Sequence, residues 1–321
     1  MIRYIIRRLL WAIVLFVAVT AITYIIFFII PADPARQACG QRATQDCVKR
    51  ARHFLGLDRP VPVQYGMFLK RLVIDRSLGR SFSNRLTVNY VVGQAAPVTA
   101  SLVFGGALLW MLLAVPVGVF SALRPRSLLD RIAMVFVLIG ISAHPVWIGL
   151  LFAYFISFKL GLTPISGYCN FFNPLNGCGG PVQWAYHMIL PWITFMILFA
   201  ALYVRMIRAN VMETLNEDYV RTARAKGAPE WVVLRSHVLR NAMLPIVTML
   251  GMDIGIGLGG AVFTETVYGL PGLGKTLVTS INAFDLPVTM GIVVFTTIAI
   301  IFFNLVVDLL YAWIDPRIRL A

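Results

Sequence analysis

Six stretches of mostly apolar residues, 9–30, 98–123, 132–158, 185–204, 242–263 and 288–314, divide the chain. Each reaches the roughly 20 residues that a helix needs to cross about 30 Å of hydrocarbon. Inside a bilayer every backbone N–H and C=O must be satisfied within the protein, so such stretches are helices. The feature therefore predicts an all-α polytopic membrane protein with six transmembrane helices. Composition agrees, with 59% hydrophobic and 13% charged residues against about 45–50% and about 25% in soluble domains. Between the stretches too little chain remains for a second folded domain. The first follows MIRYIIRR, but its apolar part exceeds a signal peptide's usual 7–15 residues and no small-x-small cleavage site follows, so it reads as an uncleaved span.

Charge gives the orientation. The chain carries 28 Lys and Arg against 14 Asp and Glu, a formal net charge of +14. The basic residues lie between apolar runs rather than in one patch, which points to positive loops at an anionic membrane face and not to nucleic acid. Arg3, Arg7 and Arg8 precede the first stretch, Arg124, Arg126 and Arg131 follow the second, and a cluster from Arg205 to Arg240 follows the fourth. The loops after stretches 3 and 5 hold only Lys159 and Lys275. By the positive-inside rule both termini and the loops after stretches 2 and 4 are cytoplasmic. The segment 31–97 is basic, but loops longer than about 60 residues cross largely regardless of charge, and it is expected outside. The organisation expected is thus 1–30 as N-terminal segment and first span, 31–97 as an extracytoplasmic loop domain, and 98–321 as the core, with a cytoplasmic loop at 205–241.

All four cysteines, Cys39, Cys47, Cys169 and Cys178, fall in loops placed outside, where disulfides persist. Spacings of eight and nine residues suggest two local bridges; free thiols or cross-loop pairing are the alternatives. Neither pair has the C-x-x-C spacing of zinc sites, and no metal is expected.

GLPGLGKT, residues 269–276, matches the phosphate-loop pattern G-x-x-x-x-G-K-[ST]. That pattern requires a preceding strand and a following helix. Here the apolar AVFTETVY precedes it, read as the end of the fifth span, and the topology puts the motif outside. Its glycines and Pro271 are read as a turn between spans, and no nucleotide or other cofactor is expected on this chain.

The loop NEDYVRTARAKGAPEWVVLRSHVLRNAMLP reads as a short helix through Arg224, a break at Gly227, and a second amphipathic helix begun by Pro229. Trp231, Val232, Leu234, Val238 and Leu239 are its expected packing residues. A basic helical hairpin at the membrane face suits docking to a cytosolic partner; a positively charged anchor is the simpler alternative. Inside the spans, charge needs a reason. Asp253, among the glycines of GMDIGIGLGG, is the leading candidate to line a path and meet a cationic group, with an interhelical hydrogen bond as the alternative. His144 beside Pro145 and Glu265 at the outer end of span 5 are weaker candidates, and Asp308 reads as structural.

These motifs carry a resemblance. RTARAKG followed by HVLRNAMLP resembles the coupling loop of ATP-binding-cassette importer permeases, E-A-A-x-x-x-G with L-P downstream. Arg221, Thr222 and Ala223 stand in the places of E-A-A, and Gly227 matches the glycine; Arg224, Ala225, Lys226 and Ala228 complete the segment. ETVYGLPGLGKT is similar to the E-x-V-F-x-x-P-G-L-G segment of dipeptide and oligopeptide permeases, NLVVDLLYAWIDPRIR to their C-terminal signature, and LGLDRPVPVQYGMFL to the B-type subunit with an extracytoplasmic segment between spans 1 and 2. In DRSLGRSF, Arg76 and Ser77 replace the family's usual Gly-Asp. The resemblance implies a non-enzymatic subunit in a bacterial or archaeal plasma membrane, forming half of a path for di- or oligopeptides. It implies a second permease, two cytosolic ATP-binding subunits carrying ATP and Mg, an extracytoplasmic solute-binding protein, and contact with membrane lipid. Relatives with this pattern also carry nickel, glutathione or sugars. A secondary transporter is the rival class, but no inverted repeat is seen in the sequence.

Overall fold

The structure is a computed structural model describing residues 2–29, 35–36, 39, 44–55, 57–172 and 178–314. Among these residues no strand forms, only two isolated bridges, Arg80 with Thr87 and Asn170 with Gly179. The helices are α1 Ile2–Tyr24, continued by a wide turn Ile25–Ile29, α2 Gln45–Leu55, α3 Val61–Val73, α4 Val88–Leu123, α5 Leu128–Ser142 and α6 Pro145–Phe152, continued by a wide turn Ala153–Lys159. There follow α7 Pro181–Leu215, α8 Asp218–Ala225, α9 Glu230–Ala242, α10 Leu244–Leu258, α11 Val262–Val267, α12 Leu273–Asn282 and α13 Leu286–Ile314.

Four helices are long and apolar enough to cross a membrane, within Ile6–Phe27, Val88–Leu123, Pro181–Leu215 and Leu286–Val307; two bent pairs bring the number to as many as six among the described residues. The third stretch is bent at Pro145, and the second bend lies where the helix from residue 230 meets the start of the fifth stretch. α5 and α6 meet at 104°. Pro145 excludes the helical region for the residue before it, and Ala143 and His144 are both extended, with ψ of 126° and 134°. Pro145 then starts α6, where its missing N–H costs nothing. α9 and α10 meet at 46°, next to Pro245.

The fifth stretch also stops early. α10 ends at Leu258, the chain turns at Gly260 with φ +124°, and AVFTETVY contributes the separate α11. A Cβ on Gly260 would stand 2.5 Å from the Gly274 Cα. Only glycine fits that backbone approach.

The chain divides into two compact units. One comprises Met1–Thr99, Gly255–Val262 and Pro271–Leu305. Its buried cluster joins Val88, Val92 and Ala95 of α4 to Leu273 of α12 and to Val288 and Ile292 of α13. At one end Asp285, 3% exposed, accepts hydrogen bonds from the Ser81 hydroxyl, the Phe82 N–H at 3.0 Å and the Ser83 N–H at 3.3 Å. In the same segment Arg76 sits at φ +49°, so the position where the resembled family has glycine is indeed a left-handed one.

The other unit comprises Ala100–Ile254, Phe263–Leu270 and Val306–Ala321. Trp110 of α4 stacks on Phe199 of α7, ring centroids 4.6 Å apart, and touches Phe195 and Tyr203. α5 packs on α7 through Gly140, where a Cβ would stand 2.6 Å from that of Ala201. Small residues let helices approach closely where no hydrophobic drive separates lipid from protein.

Candidate functional site

The hairpin of α8 and α9 forms as the loop sequence implies. The chain leaves α8 through a Schellman turn: the Gly227 N–H donates to the Arg224 carbonyl at 2.9 Å and the Ala228 N–H to the Ala223 carbonyl at 3.2 Å. That turn needs a left-handed residue four positions after the carbonyl that closes it, and Gly227 has φ +80°. The A-x-x-x-G spacing within RTARAKG is therefore the spacing of a helix stop. Ala223 and Val220 are buried beneath it. Across the turn the Arg224 guanidinium grips the Glu230 carboxylate in a fork, Nε to Oε1 2.9 Å and Nη2 to Oε2 3.3 Å, and the Asn241 amide donates to the Tyr219 hydroxyl at 2.9 Å. Arg221 lies 3.5 Å from Asp218, and the Thr222 hydroxyl bonds back to the Asp218 carbonyl.

The outward side of the hairpin is both basic and apolar. Arg221, Thr222, Arg224, Ala225, Lys226 and Gly227 are exposed and Ala228 is half-buried. Trp231 is 65% exposed and Val232 40%, whereas Val233 and Val238 are fully buried. Val238 is thus buried as expected and Leu234 and Leu239 are half-buried, while Trp231 and Val232 are corrected to the exposed side and Val233 takes their place. From Val233 to Leu239 the helix widens to i→i+5 pairing, so a 3.6-residue count back from Val238 passes over Val233 and selects Trp231 instead.

Of the candidates within the spans, Asp253 is half-buried and accepts a 2.6 Å hydrogen bond from the Tyr203 hydroxyl through Oδ2. The adjacent Trp110 indole N–H is buried without a partner. His144 is exposed and caps α6, its Nδ1 accepting from the Val146 N–H at 3.3 Å, with its ring edge-on to Phe263. The Glu265 side chain is 0% exposed. The structure does not gather these three into one cluster. The Asp308 side chain and the last residues of the C-terminal signature lie outside those described.

Sequence reading missed Asp130. Its carboxylate takes both arms of Arg208, Nε to Oδ1 2.7 Å and Nη2 to Oδ2 3.0 Å, with further hydrogen bonds from the Ser121 hydroxyl and the Arg126 N–H. The signal available was Ser-Leu-Leu-Asp at 127–130, a capping pattern in which Ser127 accepts from the Asp130 N–H. Arg208, counted only for orientation, lies inside α7.

GLPGLGKT follows a helix, and its second half is the first turn of α12. The Leu273 N–H, which a phosphate loop would present to its ligand, donates to the Thr99 hydroxyl at 2.8 Å. A Cβ on Gly274 would stand 2.8 Å from the Val262 backbone, so the glycine that completes the motif serves close packing. Cys39 pairs with Cys47 and Cys169 with Cys178, Cα separations 6.1 and 5.2 Å.

Comparison with known proteins agrees with this arrangement. Residues 114–320 match the model of the binding-protein-dependent transport system inner membrane component, and residues 1–103 that of the N-terminal part of such membrane components. The chain is 38% identical, over 98% of its length and 97% of the relative's, to the probable D,D-dipeptide transport system permease protein of Escherichia coli K12. It is 37% identical over 100% of both chains to a putative peptide permease protein of Brucella suis, and 36% over 99% of both to the dipeptide transport system permease protein of E. coli K12. Chains of this kind are transport components rather than enzymes. The chain belongs to the family of binding-protein-dependent transport system inner membrane components, the permeases of ATP-binding-cassette transporters.

Proposed function

We propose that this chain forms half of a translocation path for di- or oligopeptides and takes its motion from cytosolic ATP-hydrolysing subunits through residues 205–241. The hairpin carries the reading. A glycine-stopped helix, clamped across the turn by Arg224 and Glu230, presents Lys226 and Trp231 outward. An exposed tryptophan among basic residues suits a protein groove, since aromatic and Arg anchors dominate interfaces. The peptide cargo is supported by the relatives named above.

In this reading six spans cross the inner or plasma membrane of a bacterium or archaeon, α5 with α6 forming the third and α10 the fifth, with both termini cytoplasmic. Residues 1–30 form the first span, 31–97 an extracytoplasmic domain and 98–321 the core. A second permease completes the path, two cytosolic subunits hold ATP and Mg, and an extracytoplasmic binding protein delivers cargo. Asp253, with His144 and Glu265 as lesser candidates, belongs to the path or its gate.

The test is purification of the tagged full chain from its native membrane. Two ATP-binding subunits and a second permease should accompany it, and peptide-loaded binding protein should stimulate their ATP hydrolysis. A chain that purifies alone and transports without ATP would overturn the proposal.

A further inference from the structure

α3 is fixed against the second half of α1. The Tyr65 hydroxyl donates to the Val17 carbonyl at 3.0 Å and lies 2.9 Å from the Thr20 hydroxyl; the Tyr24 hydroxyl donates to Gln64 Oε1 at 3.1 Å. Tyr24, Tyr65 and Phe68 pack as an aromatic trio, centroids 5.7 to 6.3 Å apart. The apolar span of α1 runs to Phe27, and the residues of α1 that hold α3, Tyr24 back to Val17, lie three to ten residues inside that end, about 5 to 15 Å at 1.5 Å per residue. A helix held there lies against the membrane-spanning part of α1, at the boundary of headgroups and acyl chains with Tyr65 reaching below it, and not free in water.

Its outward residues suit that depth. Val61 and Val63 are 42% and 43% exposed, and Val73 and Ile74, at its end, 66% and 68%. Lys70 and Arg71 in its last turn are exposed beside them, and Arg59 precedes it. α3 contains no acidic residue. Residues 45–86 hold nine Lys and Arg against three Asp, and the nearest acids, Asp58 and Asp75, stand just outside α3. Aliphatic side chains at the acyl boundary with Lys and Arg reaching to the headgroups is the pattern of an interfacial helix on an anionic membrane.

We propose that α3 lies in the membrane interface and that anionic phospholipid headgroups are the partner of Arg59, Lys70 and Arg71. This rests on α1 crossing the membrane and is independent of the cargo.

The test uses the assembled transporter in nanodiscs of either zwitterionic lipid or a phosphatidylglycerol mixture, with a nitroxide attached after Ile74→Cys. In the anionic discs the label should be accessible to oxygen and shielded from a water-soluble nickel chelate. Native mass spectrometry should find retained phosphatidylglycerol, reduced about fivefold for each of Arg59→Gln, Lys70→Gln and Arg71→Gln. All three residues are exposed, so these variants leave the fold intact. A label as open to the nickel chelate as one in water, retention unchanged in the triple variant, or shielding that appears only when the binding protein is added would each overturn the proposal. Peptide-stimulated ATP hydrolysis, measured on the same sample, reports separately on the function proposed above.

Discussion

The Tyr203 hydroxyl, 0% exposed, points a 2.6 Å hydrogen bond at Oδ2 of Asp253 in the neighbouring helix. One carboxylate oxygen is thus engaged within the bundle, which makes the structural and the cargo roles of Asp253 separable by substitution.

Asp253→Asn keeps the acceptor for Tyr203 and removes the charge. Transport of cargo with a free amino group should fall at least tenfold while complex yield stays within twofold, about 1.4 kcal/mol per tenfold. Tyr203→Phe should cost about 1 kcal/mol of stability and spare cargo selection. Equal losses in both variants would return Asp253 to a purely structural role.

Gly227→Val should insert and fold, since a Cβ there meets nothing within 4 Å. The strain is in the backbone, about 1–2 kcal/mol for a side chain in the left-handed region. ATP hydrolysis should lose its stimulation by loaded binding protein, and Gly227→Asn, which tolerates this conformation, should retain most of it. Wild-type stimulation in the valine variant would show that the hairpin is only an anchor.

Asp130→Ala should be among the more damaging changes, because it strands the partly buried Arg208. Removal of one member of such a pair costs roughly 3–5 kcal/mol. Thermal unfolding in detergent should show a large drop, and a shift of a degree or two would mean that Arg208 finds water instead.

Lys275→Ala should leave ATP hydrolysis by the assembled transporter near wild type. Gly274→Ala should impair assembly, because its methyl group meets the Val262 backbone. The opposite pattern, lost nucleotide binding in the lysine variant with assembly intact, would restore the phosphate-loop reading.

Non-reducing peptide mapping should recover Cys39 linked to Cys47 and Cys169 to Cys178. Each closes a short loop, and its replacement by serines should cost about 2–3 kcal/mol.

What was legible in the sequence was whatever one residue or one length decides. The apolar stretches follow from residue count, and the hairpin stop follows from a single glycine four positions after Ala223. The 104° bend was visible only as Pro145, because a stretch apolar on every side has no periodicity to reveal where its axis turns. The exposure of Trp231 was hidden by the wide turn at 233–239, which changes the residue count per turn without an obvious residue cue. Asp130 with Arg208 and Asp285 with Ser81 pair across 78 and 204 positions, and nothing local announces such partners.

The Asp285 clamp has a mechanical consequence. It sits immediately before α13 and grips three successive residues, 81–83, from the far side of the chain. A clamp with several parallel bonds resists both sliding and twisting, unlike a single bond, which can swivel. Any displacement of the start of α13 therefore carries with it the segment that leads back to α3, the part of the chain laid against the first helix.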